Sequence, residues 1–150
     1  MAKTSHELAI EFAVEITELC SKIKGRPEYT KQLVRSASSI SANIAEAKYA
    51  ESNADFVHKL EIAQKEANEA ENWLSVLYKS GIIDELNFKS LRNKCGKIRR
   101  MLIASITTVK SKSNGQMLLL SKTQKFILQQ CSITFEEFRS KNNEKNCSYR

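Results

Sequence analysis

The chain has 150 residues, 41% of them hydrophobic, with 24 Lys/Arg against 17 Asp/Glu for a net charge of +7. That is one domain's worth, large enough for a core without metal or disulfide support, and a single Pro with only four Gly favours helix over sheet. No apolar run reaches the roughly 18 residues of a membrane span, the opening MAKTSHELAI is too polar and acidic for a secretion signal, and a basic surface attracts phosphate backbones through counterion release.

The first predicted helix starts at Thr4, whose hydroxyl caps while Glu7 reaches back in a T-x-x-E capping box. Leu8, Phe12, Ile16, Leu19 and Ile23 form its apolar stripe, with Glu7, Glu11, Glu15 and Glu18 as an acidic stripe beside it. Gly25 and Pro27 end it. Helix two is predicted from about Glu28 to Ala50, with Leu33, Ala37, Ile40, Ile44 and Ala47 facing inward. Ser36, Ser38, Ser39, Ser41, Ala42 and Ala45 surround that stripe with small side chains, which let a neighbouring helix approach closely.

Ser52 is the predicted cap of helix three, which runs to about Ser80 on Phe56, Leu60, Ala63, Ala67, Ala70, Leu74 and Leu77. Gly81 closes it and Asp84 caps helix four. Helix four extends to about Lys110 on Phe88, Leu91, Cys95, Ile98, Leu102, Ser105 and Val109. Steps of three and four keep such residues on one side of a helix. Four long helices with one stripe each, joined by short turns, bury those stripes mutually. The fold class expected is all-α, an antiparallel up-down four-helix bundle over residues 1–110. Residues 111–150 read as a C-terminal extension, partly helical or a docking tail, whose Leu118, Leu119, Leu120, Phe126, Ile127, Leu128, Phe135 and Phe138 must pack somewhere.

Charge is uneven along this plan. Residues 1–50 carry +1, residues 51–110 carry +2 and the last forty carry +4. Cys20, Cys95, Cys131 and Cys147 are scattered without C-x-x-C spacing, which points to a reducing cytoplasmic setting. His6 and His58 are lone imidazoles, not a metal site. With no nucleophile–base pair and no ligand cluster of usable spacing, neither an enzyme nor a cofactor is expected.

Three stretches are specific enough to resemble a known family. Arg35, Ala37, Ser39, Ile40, Asn43, Ile44, Ala45 and Glu46 match an R-x-A-x-S-I-x-x-N-I-A-E-G pattern. Asp55, Phe56 and Leu60 match D-F-x-x-x-L, and Glu66, Glu69, Trp73 and Leu74 match K-E-A-x-E-x-x-x-W-L. On these residues, positions 5–110 resemble the bacterial four-helix-bundle family called S23, or the 23S rRNA intervening-sequence protein family. The family's glycine after the helix-two glutamate is Ala47 here. That family is similar to the accessory protein of diversity-generating retroelements, a basic pentameric bundle that binds nucleic acid and a reverse transcriptase. The resemblance therefore implies a homo-oligomer, a pentamer by that analogy. It also implies RNA or DNA as ligand, RNA being favoured, and a reverse transcriptase or other protein as partner.

Two residue sets invite a function. Arg35, Asn43, Glu46, Glu66 and Glu69 lie on the edges of helices two and three. They read as a paired polar network that fixes helix register or lines a subunit contact, rather than as the inward glutamates of a di-metal bundle, which also require Glu-x-x-His pairs. Lys89, Arg92, Lys94, Lys97, Arg99 and Arg100 of helix four, with Lys122 and Lys125 of the extension, are the expected nucleic-acid contacts. They spread around the exposed arc, which suits nonspecific phosphate binding. The alternative is a solvated face neutralised by glutamates of helices one and three. Trp73 is expected at a boundary, half core and half contact. Two functions remain open: an RNA-associated, self-associating scaffold, and a protein-interaction module without nucleic acid.

Overall fold

Residues 3–113 are described by the computed structural model, and they form four helices: α1 (Ser5–Lys22), α2 (Pro27–Ala47), α3 (Asn53–Lys79) and α4 (Glu85–Ser113). The extension beyond residue 113, including Lys122 and Lys125, lies outside the described residues. Each helix packs on its chain neighbours and α4 closes the ring on α1. Lys59 meets Glu46 and Arg35 meets Glu69, so α2 and α3 run antiparallel. Lys110 meets Glu61 and Arg99 meets Glu71, and the same follows for α3 and α4. This is the antiparallel four-helix bundle expected from the apolar stripes.

Local chemistry sets each boundary. Thr4 Oγ1 accepts from Glu7 N at 3.2 Å while Glu7 Oε2 accepts from Thr4 N at 2.8 Å, a reciprocal box that satisfies two N-terminal donors. These bonds hold the Glu7 carboxyl below its ordinary pKa, first through the Thr4 backbone N–H and then through its hydroxyl. Thr4→Ala is expected to cost about 1 kcal/mol, roughly 2–4 °C in Tm, measurable by far-UV circular dichroism during heating. At the next junction Gly25 has φ +75°, a left-handed conformation that L side chains rarely adopt. Pro27 then opens α2 at a position where its missing N–H costs nothing.

The α2–α3 junction falls earlier than expected. α2 stops at Ala47 rather than Ala50, because the next residues turn through tight bonds, Tyr49 N to Glu46 O at 2.9 Å and Ala50 N to Ala47 O at 3.2 Å. Asp55 Oδ2 accepts from Glu51 N at 3.1 Å and Ser52 Oγ accepts from Asp55 N at 3.1 Å. Those caps restart the chain as α3. At the far end Gly81 takes φ +68° and Asp84 Oδ1 accepts from Asn87 N at 2.8 Å, so α4 begins where the capping pattern places it. α4 runs three residues past Lys110.

The stripes meet as one core. Leu33, Ala37, Ile40, Ile44 and Ala47 of α2 are completely buried, as are Phe56, Ala63, Ala67, Ala70, Leu74 and Leu77 of α3. Small side chains on both helices let their backbones come close, and α2 against α3 is the most extensive interface. Cys95 on α4 fits tightly against α3, its Sγ donating to the Ala67 carbonyl at 3.2 Å. Bulk comes from Phe12, Ile16, Ile98 and Leu102, which belong to the same core cluster as the alanine-rich rows. Leu19, Ile23 and Phe88, expected in the stripes, are only half-buried. Leu19 and Ile23 belong to the last turn of α1 and the loop after it. Phe88 lies in the first turn of α4, its ring stacked on Tyr78 with centroids 4.4 Å apart.

Candidate functional site

The five polar residues of the α2–α3 edge do not meet as one cluster. Arg35 Nη2 reaches Glu69 Oε1 at 2.6 Å, and the same oxygen accepts from Trp73 Nε1 at 3.3 Å. Trp73 is half-buried, packed on the core, and its ring stands 5.9 Å from that of Tyr29. About three turns along, Lys59 Nζ donates to Glu46 Oε2 at 2.6 Å. Asn43 stays on its own helix, donating to the Ser39 carbonyl at 2.8 Å. Glu66 Oε2 is buried and has no hydrogen-bond partner among the described residues. Two interhelical ion pairs therefore link α2 and α3 at opposite ends of the edge, with Asn43 and Glu66 between them. Ser36, at the same edge, is fully buried and donates back to the Leu33 carbonyl at 3.1 Å.

Helix four's cations divide into two groups. Glu71 of α3 is the hub of the first: Arg92 Nε approaches Glu71 Oε1 at 2.9 Å and Arg99 Nη1 approaches Glu71 Oε2 at 2.6 Å. Arg99 also donates to Asn68 Oδ1 at 2.9 Å, and the Arg92 guanidinium lies 5.9 Å from the centre of the Phe88 ring. Burial alone would raise the Glu71 pKa, but the two guanidinium groups outweigh it and hold the carboxyl below its ordinary value. Lys94 pairs with Glu15 and approaches Glu11 at 3.9 Å, so the acidic stripe of α1 meets α4 within the chain. Lys89 pairs with Glu85 one turn back at 2.6 Å. The second group is Lys97 and Arg100, exposed on the outer arc and without an ion pair among the described residues. The basic helix is thus largely compensated by glutamates of α1 and α3.

Neither thiol among the described residues is placed to act as a nucleophile. Cys20 and Cys95 are both buried, and desolvation pushes their pKa values up to about 11 and about 12. A thiol kept protonated in an apolar core is inert. Among the described residues no group of three or more His, Cys, Asp or Glu could hold a metal ion, and no helix is long and apolar enough to cross a membrane. His58 is exposed and His6 half-buried.

Sequence patterning overlooked one apolar surface. Ile10 and Val14, four residues apart on the outer side of α1, are 44% and 51% exposed. With Ala13, Thr17 and Ser41 they line a groove of about 280 Å³ between α1 and α2. The signal for it, an i, i+4 apolar pair outside the main stripe, is present in the sequence but weak beside the stripe itself.

Comparison with known proteins agrees with this architecture. The profile of the 23S rRNA-intervening sequence protein family matches residues 4–104. The chain is similar to a crystal structure of a protein with unknown function from the S23 ribosomal protein family of Bacteroides thetaiotaomicron VPI-5482. The two are 40% identical, with a TM-score of 0.65 over 69% of this chain and 98% of that one. No curated protein matches the chain. Four antiparallel helices, the matched residues and this degree of identity lead to one conclusion: the chain belongs to the 23S rRNA-intervening sequence protein family.

Proposed function

We propose that this protein is a cytoplasmic, non-enzymatic bundle that self-associates and acts as a scaffold on nucleic acid, RNA in particular. The observation that carries the reading is the outer arc of α4, where Lys97 and Arg100 project into solvent without carboxylate partners among the described residues. Arg92 and Lys89 flank them, paired but with side chains 57% and 67% exposed. Such an arc offers point charges and no base-reading edge. Phosphate contacts of that kind release counterions and respond weakly to sequence. Self-association would repeat the arc around an assembly and multiply individually weak contacts.

Filter binding with a structured RNA and an unrelated RNA of equal length tests the reading. Both are expected to bind at low salt with similar affinity, and log Kd is expected to rise linearly with log salt. Lys97→Ala with Arg100→Ala is expected to flatten that slope by about 1–2. Absence of binding at low salt, or binding indifferent to ionic strength, overturns it.

A second reading has its own support in the groove at Ile10 and Val14, an apolar surface of the kind that protein partners cover. There the chain is a protein-interaction module and its positive charge serves solubility. Analytical ultracentrifugation separates the two readings: an assembly whose mass is unaffected by polyanions favours the module.

A further inference from the structure

At the end of the bundle where α1 stops and α4 starts, a cleft of about 540 Å³ opens among Ile23, Ile82, Lys22, Lys24, Arg26 and Asp84. Its volume falls within the roughly 300–1,000 Å³ typical of small-ligand sites. The three cations differ from most of those on α4. Lys22, Lys24 and Arg26 are exposed and have no ion pair among the described residues. They occupy alternate positions in the segment that turns at Gly25, which has φ +75°. The carboxylate at the rim is already engaged. Asp84 Oδ1 takes the Asn87 N–H at 2.8 Å and Oδ2 takes the Asn87 side-chain amide at 2.5 Å. Those bonds lower its pKa and tie the carboxylate to the first turn of α4.

Three positive side chains against one carboxylate leave a formal surplus of two. A phosphodiester, with one negative charge, leaves that surplus half unmet. A phosphate monoester carries about −1.5 to −2 at neutral pH and matches it. Ile23 and Ile82 give the cleft an apolar wall beside the charges, against which the less polar part of a nucleoside attached to that phosphate can pack.

We propose that this cleft binds a terminal phosphate monoester carried on a nucleoside, with Lys22, Lys24 and Arg26 as its phosphate ligands. The shared chemistry is a 5′-phosphorylated nucleoside, whether free as a mononucleotide or as the end of an RNA chain. The RNA-end form deepens the nucleic-acid reading and rests on it.

The test uses the full chain and two single-stranded RNA oligonucleotides of one sequence, labelled at the 3′ end, one bearing a 5′-phosphate and the other a 5′-hydroxyl. Fluorescence anisotropy is expected to give roughly tenfold tighter binding for the phosphorylated RNA, the size of one charge-assisted contact. Combined Lys22→Ala, Lys24→Ala and Arg26→Ala should erase that preference. The corresponding Lys→Arg replacements at 22 and 24 should keep it, and Lys97→Ala with Arg100→Ala should weaken both RNAs alike. All three cleft cations are exposed, so helicity by circular dichroism is expected to be unchanged. A titration with AMP alone, followed by the amide resonances of Gly25 and Ile82, reports on the cleft without RNA.

Equal affinity for the two RNAs, or a preference that survives the triple replacement, overturns the cleft assignment and leaves the nucleic-acid reading standing. Failure of both RNAs to bind while AMP shifts those resonances removes the nucleic-acid reading and supports the cleft. AMP without effect, together with no preference between RNA ends, removes the site in both forms.

Discussion

Phe12→Ala is expected to destabilise the bundle by about 3–5 kcal/mol, the range for emptying a buried aromatic site. Phe12 is completely buried and sits midway along α1, the shortest helix at 18 residues. Phe12 is the largest of the side chains that α1 buries, beside Leu8, Ala9, Ile16 and Cys20. A loss of that size is a large share of the 5–15 kcal/mol that holds an ordinary domain together. Urea unfolding followed by circular dichroism should show a fall in midpoint with an unchanged slope. A loss below about 1 kcal/mol would mean that α1 packs elsewhere and that the ring of four helices is wrong.

Glu71→Gln has the second large effect, and it acts in two directions. Glu71 is 18% exposed and bridges Arg92 and Arg99. Replacing it by its neutral isostere leaves the shape in place and frees both guanidinium groups from their counter-charge. The stability cost expected is about 1–2 kcal/mol, limited because Arg92 is mostly in water. The gain expected is tighter RNA binding and a log–log salt slope steeper by about 1–2. An unchanged slope would show that the two arginines do not face the polyanion.

The pH dependence follows from the same residue. The folded-state pKa of Glu71 lies below its ordinary value of 4.5. The pair therefore contributes stability fully above that ordinary value and loses it as pH falls through the lower, folded value. The difference in stability between Glu71→Gln and the parent chain should accordingly be constant at neutral pH and shrink under acid conditions.

Much of this was readable from residue spacing. The runs Phe56–Leu77 and Leu91–Val109 turn up buried along their length, because steps of three and four put side chains on one face whatever that face meets. Thr4, Ser52 and Asp84 mark helix starts as their chemistry requires. The half-burial of Leu19 and Ile23 was not readable, since the same spacing continues to the end of a helix after its neighbours have turned away. Nor was the grouping of Arg35, Asn43, Glu46, Glu66 and Glu69. Their shared edge follows from periodicity, but which carboxylate meets which cation depends on the axial register of α2 against α3.

Residue order alone determined the helices, their caps and the face each one buries, because these depend on interactions within a few residues along the chain. Only the tertiary structure decided where the charge goes. It sets Glu71, Glu61 and Glu15 against the cations of α4 and leaves Lys22, Lys24 and Arg26 around one cleft without an ion pair among the described residues. Net charge counts lysines and glutamates equally wherever they lie, whereas Coulomb attraction depends on separation and exposure. Separation between residues distant in sequence is a property of packing.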